Sequence, residues 1–179
     1  MKYLSIFLIV CFISACATKE STTLPTVFDW NTYINQNIDS LDKAPLTFKK
    51  RIVMTDSVEN SSSDSINLVK ELSIFKAIKW NAKQALRYTI DSTLEGQRLR
   101  VSYTALDSNL SIQKMQIEKL NSLSDLTARV RITRKIDRPI YNLSQEFYFE
   151  PASGCYVKGS QAVPKVYDQA YEVYYLWDE

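Results

Sequence analysis

The sequence predicts an α+β fold in which two N-terminal helices pack on a curved antiparallel meander of about six to seven strands. Three observations lead there. Apolar residues recur at helical spacing as far as about residue 85, and from Gln97 onward they alternate. The connections between the alternating segments are short, which favours antiparallel neighbours. One strand face is apolar and needs cover, and only the two amphipathic helices can supply it.

The first helix is expected over Val27 to Ala44. Asp29 is its N-cap candidate, Trp30, Tyr33, Ile34, Ile38 and Leu41 form its stripe, and Pro45 ends it. Leu46 to Thr55 reads as a strand with Leu46, Phe48, Ile52 and Met54 on one face. Its phase is imperfect, because Lys50 falls among the apolar positions. Asp56 to Ser65, rich in serine and without apolar periodicity, reads as a loop. A second helix is expected from Asp64-Ser65 to about Ala85, with Val69, Leu72, Phe75, Ile78 and Ala82 as its stripe. Leu86 to Ile90 offers the start of a strand.

Leu99, Val101, Tyr103 and Ala105 then alternate with polar residues, and Asp107-Ser108-Asn109 turns the chain. The next strand, Leu110 to Lys119, slips in phase between Ile112 and Met115, the signature of a bulge. Leu126 to Thr133, Tyr141 to Phe149, Cys155 to Lys158 and Tyr167 to Trp177 complete the set, with Pro151-Ala152-Ser153-Gly154 as a hairpin turn. Both faces of the last strand are aromatic. Tyr171, Val173, Tyr175 and Trp177 share one side and Tyr174 lies on the other; one face belongs to the core, and the second is a docking surface or an edge covered by a partner. A closed barrel with peripheral helices is the alternative architecture.

The head of the chain has a different logic. After Lys2, the run from Tyr3 to Ile13 is apolar except for Ser5. At about 1.5 Å per helical residue it covers roughly half a bilayer core, too short to span and suited to an export signal. It ends Ile13-Ser14-Ala15-Cys16, which resembles the bacterial lipobox, where small residues admit the peptidase and the cysteine thiol takes diacylglycerol. The expected organisation is a lipoprotein signal peptide over 1–15, a lipidated Cys16 with a flexible tether over 16–26, and a single domain over 27–179. With further acylation of the palmitate type, the anchor holds the chain to a membrane. Ala17 is not the aspartate that resembles an inner-membrane retention signal, so the expected place is the outer membrane.

Composition excludes much. The 179 residues contain no histidine, three glycines and three cysteines, with a formal net charge of +2 that falls to +1 when Lys2 leaves with the signal. Nucleic acid is therefore not an expected partner. Without histidine there is no Ser-His-Asp or Cys-His machinery and no histidine-bound zinc. Gly96, Gly154 and Gly159 are too scattered for a phosphate-cradling loop. No catalytic residue, metal site or cofactor is expected. Ser73-Ile74-Phe75-Lys76 fits Ser-x-x-Lys, but Ser40 to Lys43 and Ser111 to Lys114 fit equally, and the companion motifs are missing. Cys155 reads as a small buried hydrophobe. Arg98, Arg100, Arg129 and Arg131 lie on outward faces of two strands and would form an anion site if those strands were close, unless acids such as Glu118, Glu146 and Glu150 balance them.

Val69-Lys70-Glu71-Leu72-Ser73-Ile74-Phe75 before a β-rich half, and Tyr148-Phe149-Glu150-Pro151 through Gly154-Cys155-Tyr156-Val157-Lys158-Gly159-Ser160-Gln161, resemble a family of small lipoproteins and exported proteins of the Bacteroidota. The resemblance implies fold and compartment, and no activity. In such bacteria Asp56-Ser57-Val58 and Asp64-Ser65-Ile66 resemble O-glycosylation signals, which makes Ser57 a candidate acceptor. The expected function is a non-catalytic binding or assembly component of the envelope, whose partner is an envelope protein or a lipid. A lipid-handling half-barrel carrier like the Lol proteins, or a histidine-free hydrolase, are the alternatives.

Overall fold

The computed structural model describes residues 27–63, 67–120, 124–164 and 166–178. The expected signal peptide, lipidated Cys16 and tether lie outside them. Helix α1 (Trp30–Leu41) begins where expected, Asp29 accepting the backbone N–H of Thr32 at 3.0 Å. Strands β1 (Thr47–Met54) and β2 (Ser57–Ser63) form a hairpin. Three four-residue helices follow: α2 (Leu68–Glu71), α3 (Ser73–Lys76) and α4 (Ala82–Ala85). The chain then meanders through β3 (Tyr88–Glu95), β4 (Arg98–Ala105), β5 (Ile112–Leu120), β6 (Arg129–Arg138), β7 (Tyr141–Glu150), β8 (Gly154–Val163) and β9 (Tyr167–Asp178).

This corrects the expected fold class. The molecule is dominated by one open nine-stranded sheet, every neighbour antiparallel, in the order β2-β1-β9-β8-β7-β6-β5-β4-β3. It is neither a meander of six or seven strands under two helices nor a closed barrel. Of the two added strands, β2 is serine-rich and gives no apolar period, and β3 extends the start expected over Leu86 to Ile90 as far as Glu95. Tight turns make them: Thr55-Asp56 joins Met54 to its partner Ser57, and Gly96-Gln97 joins Glu95 to Arg98, with Gly96 at φ +63°.

The second long helix is also corrected. Asn67 and Asn81 cap separate short turns, and Asn81 is extended at φ −151°. Two tryptophans account for the break. The Trp30 indole N–H donates to the Phe75 carbonyl (3.1 Å), which also accepts the Ile78 N–H (3.3 Å) where the helical turn ends. Trp80 sits on an extended stretch, donates to the Phe28 carbonyl (3.0 Å) and meets Tyr88 and Tyr103 edge to face. A regular helix from Leu68 to Ala85 would keep Trp80 out of that site.

The core lies between these helices and one sheet face. Trp30, Tyr33, Leu72 and Phe75 pack against Tyr103, Met115, Ile132, Phe147 and Phe149, all at 2 % exposure or less. Lys50, the residue that breaks the phase of β1, does face inward. Its ammonium bonds Glu71 (2.7 Å), which also accepts from the Tyr175 hydroxyl (2.7 Å). The predicted bulge in β5 is present as a register shift between Ile112 and Lys114. Cys155 is buried beside Tyr175, its cross-strand partner, and burial pushes its thiol well up.

Candidate functional site: the outer face of the sheet

Opposite the core, the outward residues of adjacent strands line up by register. One row runs Ser102, Gln116, Arg131, Tyr148, Tyr156, Tyr174, Arg51, Asn60 from β4 to β2. Its centre is a ladder of three tyrosines. Tyr148 and Tyr156 have ring centroids 5.1 Å apart at 17°, and Tyr156 and Tyr174 are 5.8 Å apart at 52°. Two nearly parallel rings that close cannot lie side by side in one plane, so they stand as fins with their faces together. The remaining faces carry cations: Arg131 over Tyr148 at 5.6 Å, and Lys158 over Tyr156 and Tyr174 at 5.1 and 5.4 Å.

Each hydroxyl ends on a carboxylate: Tyr148 on Glu150 (2.9 Å), Tyr156 on Glu146 (2.6 Å) and Tyr174 on Glu172. Burial, then the Glu146 hydrogen bond, pushes the Tyr156 phenol up to about 12. Burial also pushes Glu150 up, but hydrogen bonds from Tyr148, Ser153 and Arg129 outweigh it and hold the carboxyl below its ordinary value. The ladder is thus internally satisfied, with its ring faces and its hydroxyls already engaged.

The four arginines expected to bind anions share this face. Arg98 and Arg100 are on β4, and Arg129 and Arg131 on β6, with β5 and its Glu118 between them. Arg98 pairs with Glu118 (3.1 Å), Arg100 with Glu95 and Glu118 (3.5 Å each), Arg129 with Glu150, and Arg131 with Glu146 (3.6 Å). Arg98 and Arg129 border one depression of about 440 Å³ together with Glu118 and Glu150, so its charges alternate. Ser57 is exposed at the β1–β2 turn. Ser65 lies outside the described residues.

A second depression on the outer face, of about 510 Å³, was not anticipated. It lies where β9, β1 and β2 meet and is bordered by Lys49, Arg51, Asn60, Ser61, Tyr174 and Leu176. Leu176 is 49 % exposed and forms an apolar floor with the Tyr174 ring. Lys49 is held by Asp178 (2.6 Å), whereas Arg51 has no acidic partner among the described residues. Asp56 to Ser65 was expected to be a loop, so Asn60 could not be brought beside Arg51 from the sequence. Ligand sites combine such an apolar floor with a few placed polar groups.

Among the described residues, no three Asp, Glu or Cys side chains converge to hold a metal. Comparison with family models, curated proteins and solved structures returned no match.

Proposed function

We propose that this chain is a membrane-anchored lipoprotein of the cell envelope, placed at the outer membrane by lipid on Cys16, and that it works as a non-catalytic binding or assembly component. Arg51 carries the reading. A guanidinium without an acidic partner among the described residues, beside Tyr174 and Asn60 in its row and near the exposed Leu176, suits a ligand with an apolar body and an anionic head. The arginines around the tyrosine ladder are each matched by a glutamate, and among the described residues of the outer face Arg51 and Lys114 are the cations without an acidic partner. The concave side of the sheet is filled by aromatic side chains of the helices, which favours a surface-binding module over a carrier with an internal lipid cavity.

Two experiments test it. Labelled palmitate should enter the wild-type protein and be lost with Cys16→Ser, which should also leave the membrane fraction; retention of label by the variant removes the anchor. Laurate titrated calorimetrically into the chain from Val27 onward should bind, about tenfold more weakly or worse with Arg51→Ala, since loss of a charged hydrogen bond costs about 1.5–3 kcal/mol. Equal binding by wild type and variant removes the site.

A further inference from the structure

The sheet has two free edges, and β3 is built unlike most exposed ones. Edge strands are usually blunted by lysine, proline, a bulge or an inward-pointing charge. The β3 sequence Tyr-Thr-Ile-Asp-Ser-Thr-Leu-Glu has no lysine or proline, and its register with β4 is unbroken over all eight residues. The core-side face of β3 presents Ile90 and Leu94, which are 41 % and 59 % exposed, beyond the end of the helical cover.

The hydrogen-bond phase of the edge follows from one contact. The Leu106 N–H donates to the Arg87 carbonyl (3.0 Å), which makes Arg87 and Leu106 a hydrogen-bonded pair in the β3–β4 ladder. Such pairs alternate, so Thr89, Asp91, Thr93 and Glu95 turn their backbone groups to β4. Tyr88, Ile90, Ser92 and Leu94 turn theirs outward, to the open edge.

We infer that this edge pairs with the same edge of a second copy, antiparallel and about a two-fold axis at Ser92. Only residues with outward groups can bond across the axis, so the possible registers move in steps of one residue at the centre. Centring on Asp91 sets Asp91 against its own copy. Centring on Thr93 sets Asp91 against Glu95. Like charges directly opposite are unfavourable in both. Centring on Ser92 sets Ile90 against Leu94 twice, Asp91 against Thr93 and Glu95 against Thr89, with the small serine at the axis. The strand is complementary to itself in that register, and the two sheets become one continuous sheet with an apolar seam on the helix side.

Site-directed crosslinking of the full-length chain in native membranes reads both the contact and its register. At the axis two Ser92 Cα atoms lie about 5.5 Å apart, within disulfide reach. Two Thr89 Cα atoms lie six residues apart along the strand, about 20 Å. With a mild oxidant, Ser92→Cys should give a disulfide-linked dimer on a non-reducing gel, and Thr89→Cys and wild type should not. Sedimentation of the full-length protein in detergent should give a dimer mass, reduced to a monomer by Ile90→Lys with unchanged circular dichroism. A monomeric wild type, a dimer that survives Ile90→Lys, absent crosslinking at Ser92, or equal crosslinking at Thr89 each overturns the inference.

Discussion

The two faces of the sheet use aromatic residues in opposite ways. Beneath the helices many rings meet edge to face, as Phe75 does Phe147 (75°) and Tyr33 does Phe149 (81°), and two tyrosine hydroxyls end on buried backbone carbonyls, Tyr33 on Ala128 (2.7 Å) and Tyr88 on Ile112 (2.8 Å), with Tyr175 on Glu71 the exception. On the outer face three tyrosines stand side by side, and their hydroxyls end on carboxylates that arginine and lysine neutralise. The inner arrangement derives its stability from removing apolar area from water. The outer one depends on ring contact and on charges that solvent and salt can screen. Position in a strand sets which face a tyrosine occupies; residues two positions away (Glu150, Glu172) or on the next strand (Glu146) set what its hydroxyl reaches.

Substitutions should separate the faces. Phe149→Ala empties a fully buried site that touches Tyr33, Phe75 and Trp177, and should cost about 3–5 kcal/mol in denaturant unfolding. Gly159→Ala comes next. The Tyr171 ring crosses this glycine to reach Gln145, and a Cβ there would lie 2.8 Å from it, so a loss of about 1–3 kcal/mol is expected. On the outer face Tyr156→Ala should cost about 1–2 kcal/mol, from two ring contacts and a half-buried surface. Arg131→Ala, an exposed partner, should cost less than about 1 kcal/mol, and that difference should shrink in high salt while the Phe149 effect does not.

The pH dependence has a definite sign on each side of neutrality. The phenol pKa values of Tyr33, Tyr103, Tyr156 and Tyr175 are raised chiefly by burial, Tyr156 to about 12. Their neutral forms are favoured in the folded chain, so stability is full below the ordinary phenol value of about 10 and falls as pH rises beyond it. Glu71 behaves in the opposite sense. The Lys50 hydrogen bond lowers its pKa, so its contribution is present above the ordinary carboxylate value and lost as pH falls through the folded one. Thermal melts of wild type and Tyr156→Phe should diverge between about pH 10 and 12, the phenylalanine variant losing less; parallel melts refute the assignment.

Much of the fold was legible where residue pattern and burial coincide. The Asp29 cap, the β5 bulge, the turn before Cys155 and the inward set Tyr171, Val173, Tyr175 and Trp177 follow from local chemistry alone. The second helix was misread because Trp30 and Trp80, distant in sequence from their acceptors, make hydrogen bonds that only the tertiary structure shows. Strand β2 escaped, and β3 was read only as a start over Leu86 to Ile90, because their partners are fixed by tight turns. The outer face was half legible. The four arginines were found and balancing acids were considered, but neither the cross-strand match to each glutamate nor the tyrosine ladder can be read without register. Arg51 could not be singled out, since the strand that completes its surroundings is serine-rich. The aromatic last strand was expected to be core on one side and either a docking surface or a covered edge on the other; the Tyr175 face is core, the Tyr174 face is part of the outer surface, and β1 pairs with the strand's edge.

That last pairing constrains the order of assembly. Strand β1 aligns with β9 from Thr47 with Asp178 to Met54 with Tyr171, so the first hairpin of the domain has no sheet to join until its last strand exists. Emerging in chain order during synthesis, β1 and β2 are an isolated polar hairpin, marginal in water. The local meander from β3 to β9 can form by successive short-range steps, whereas closing β1 onto β9 spans more than a hundred residues and is the slow, late event. A truncation that removes the C-terminal strand would therefore release both ends of the chain at once.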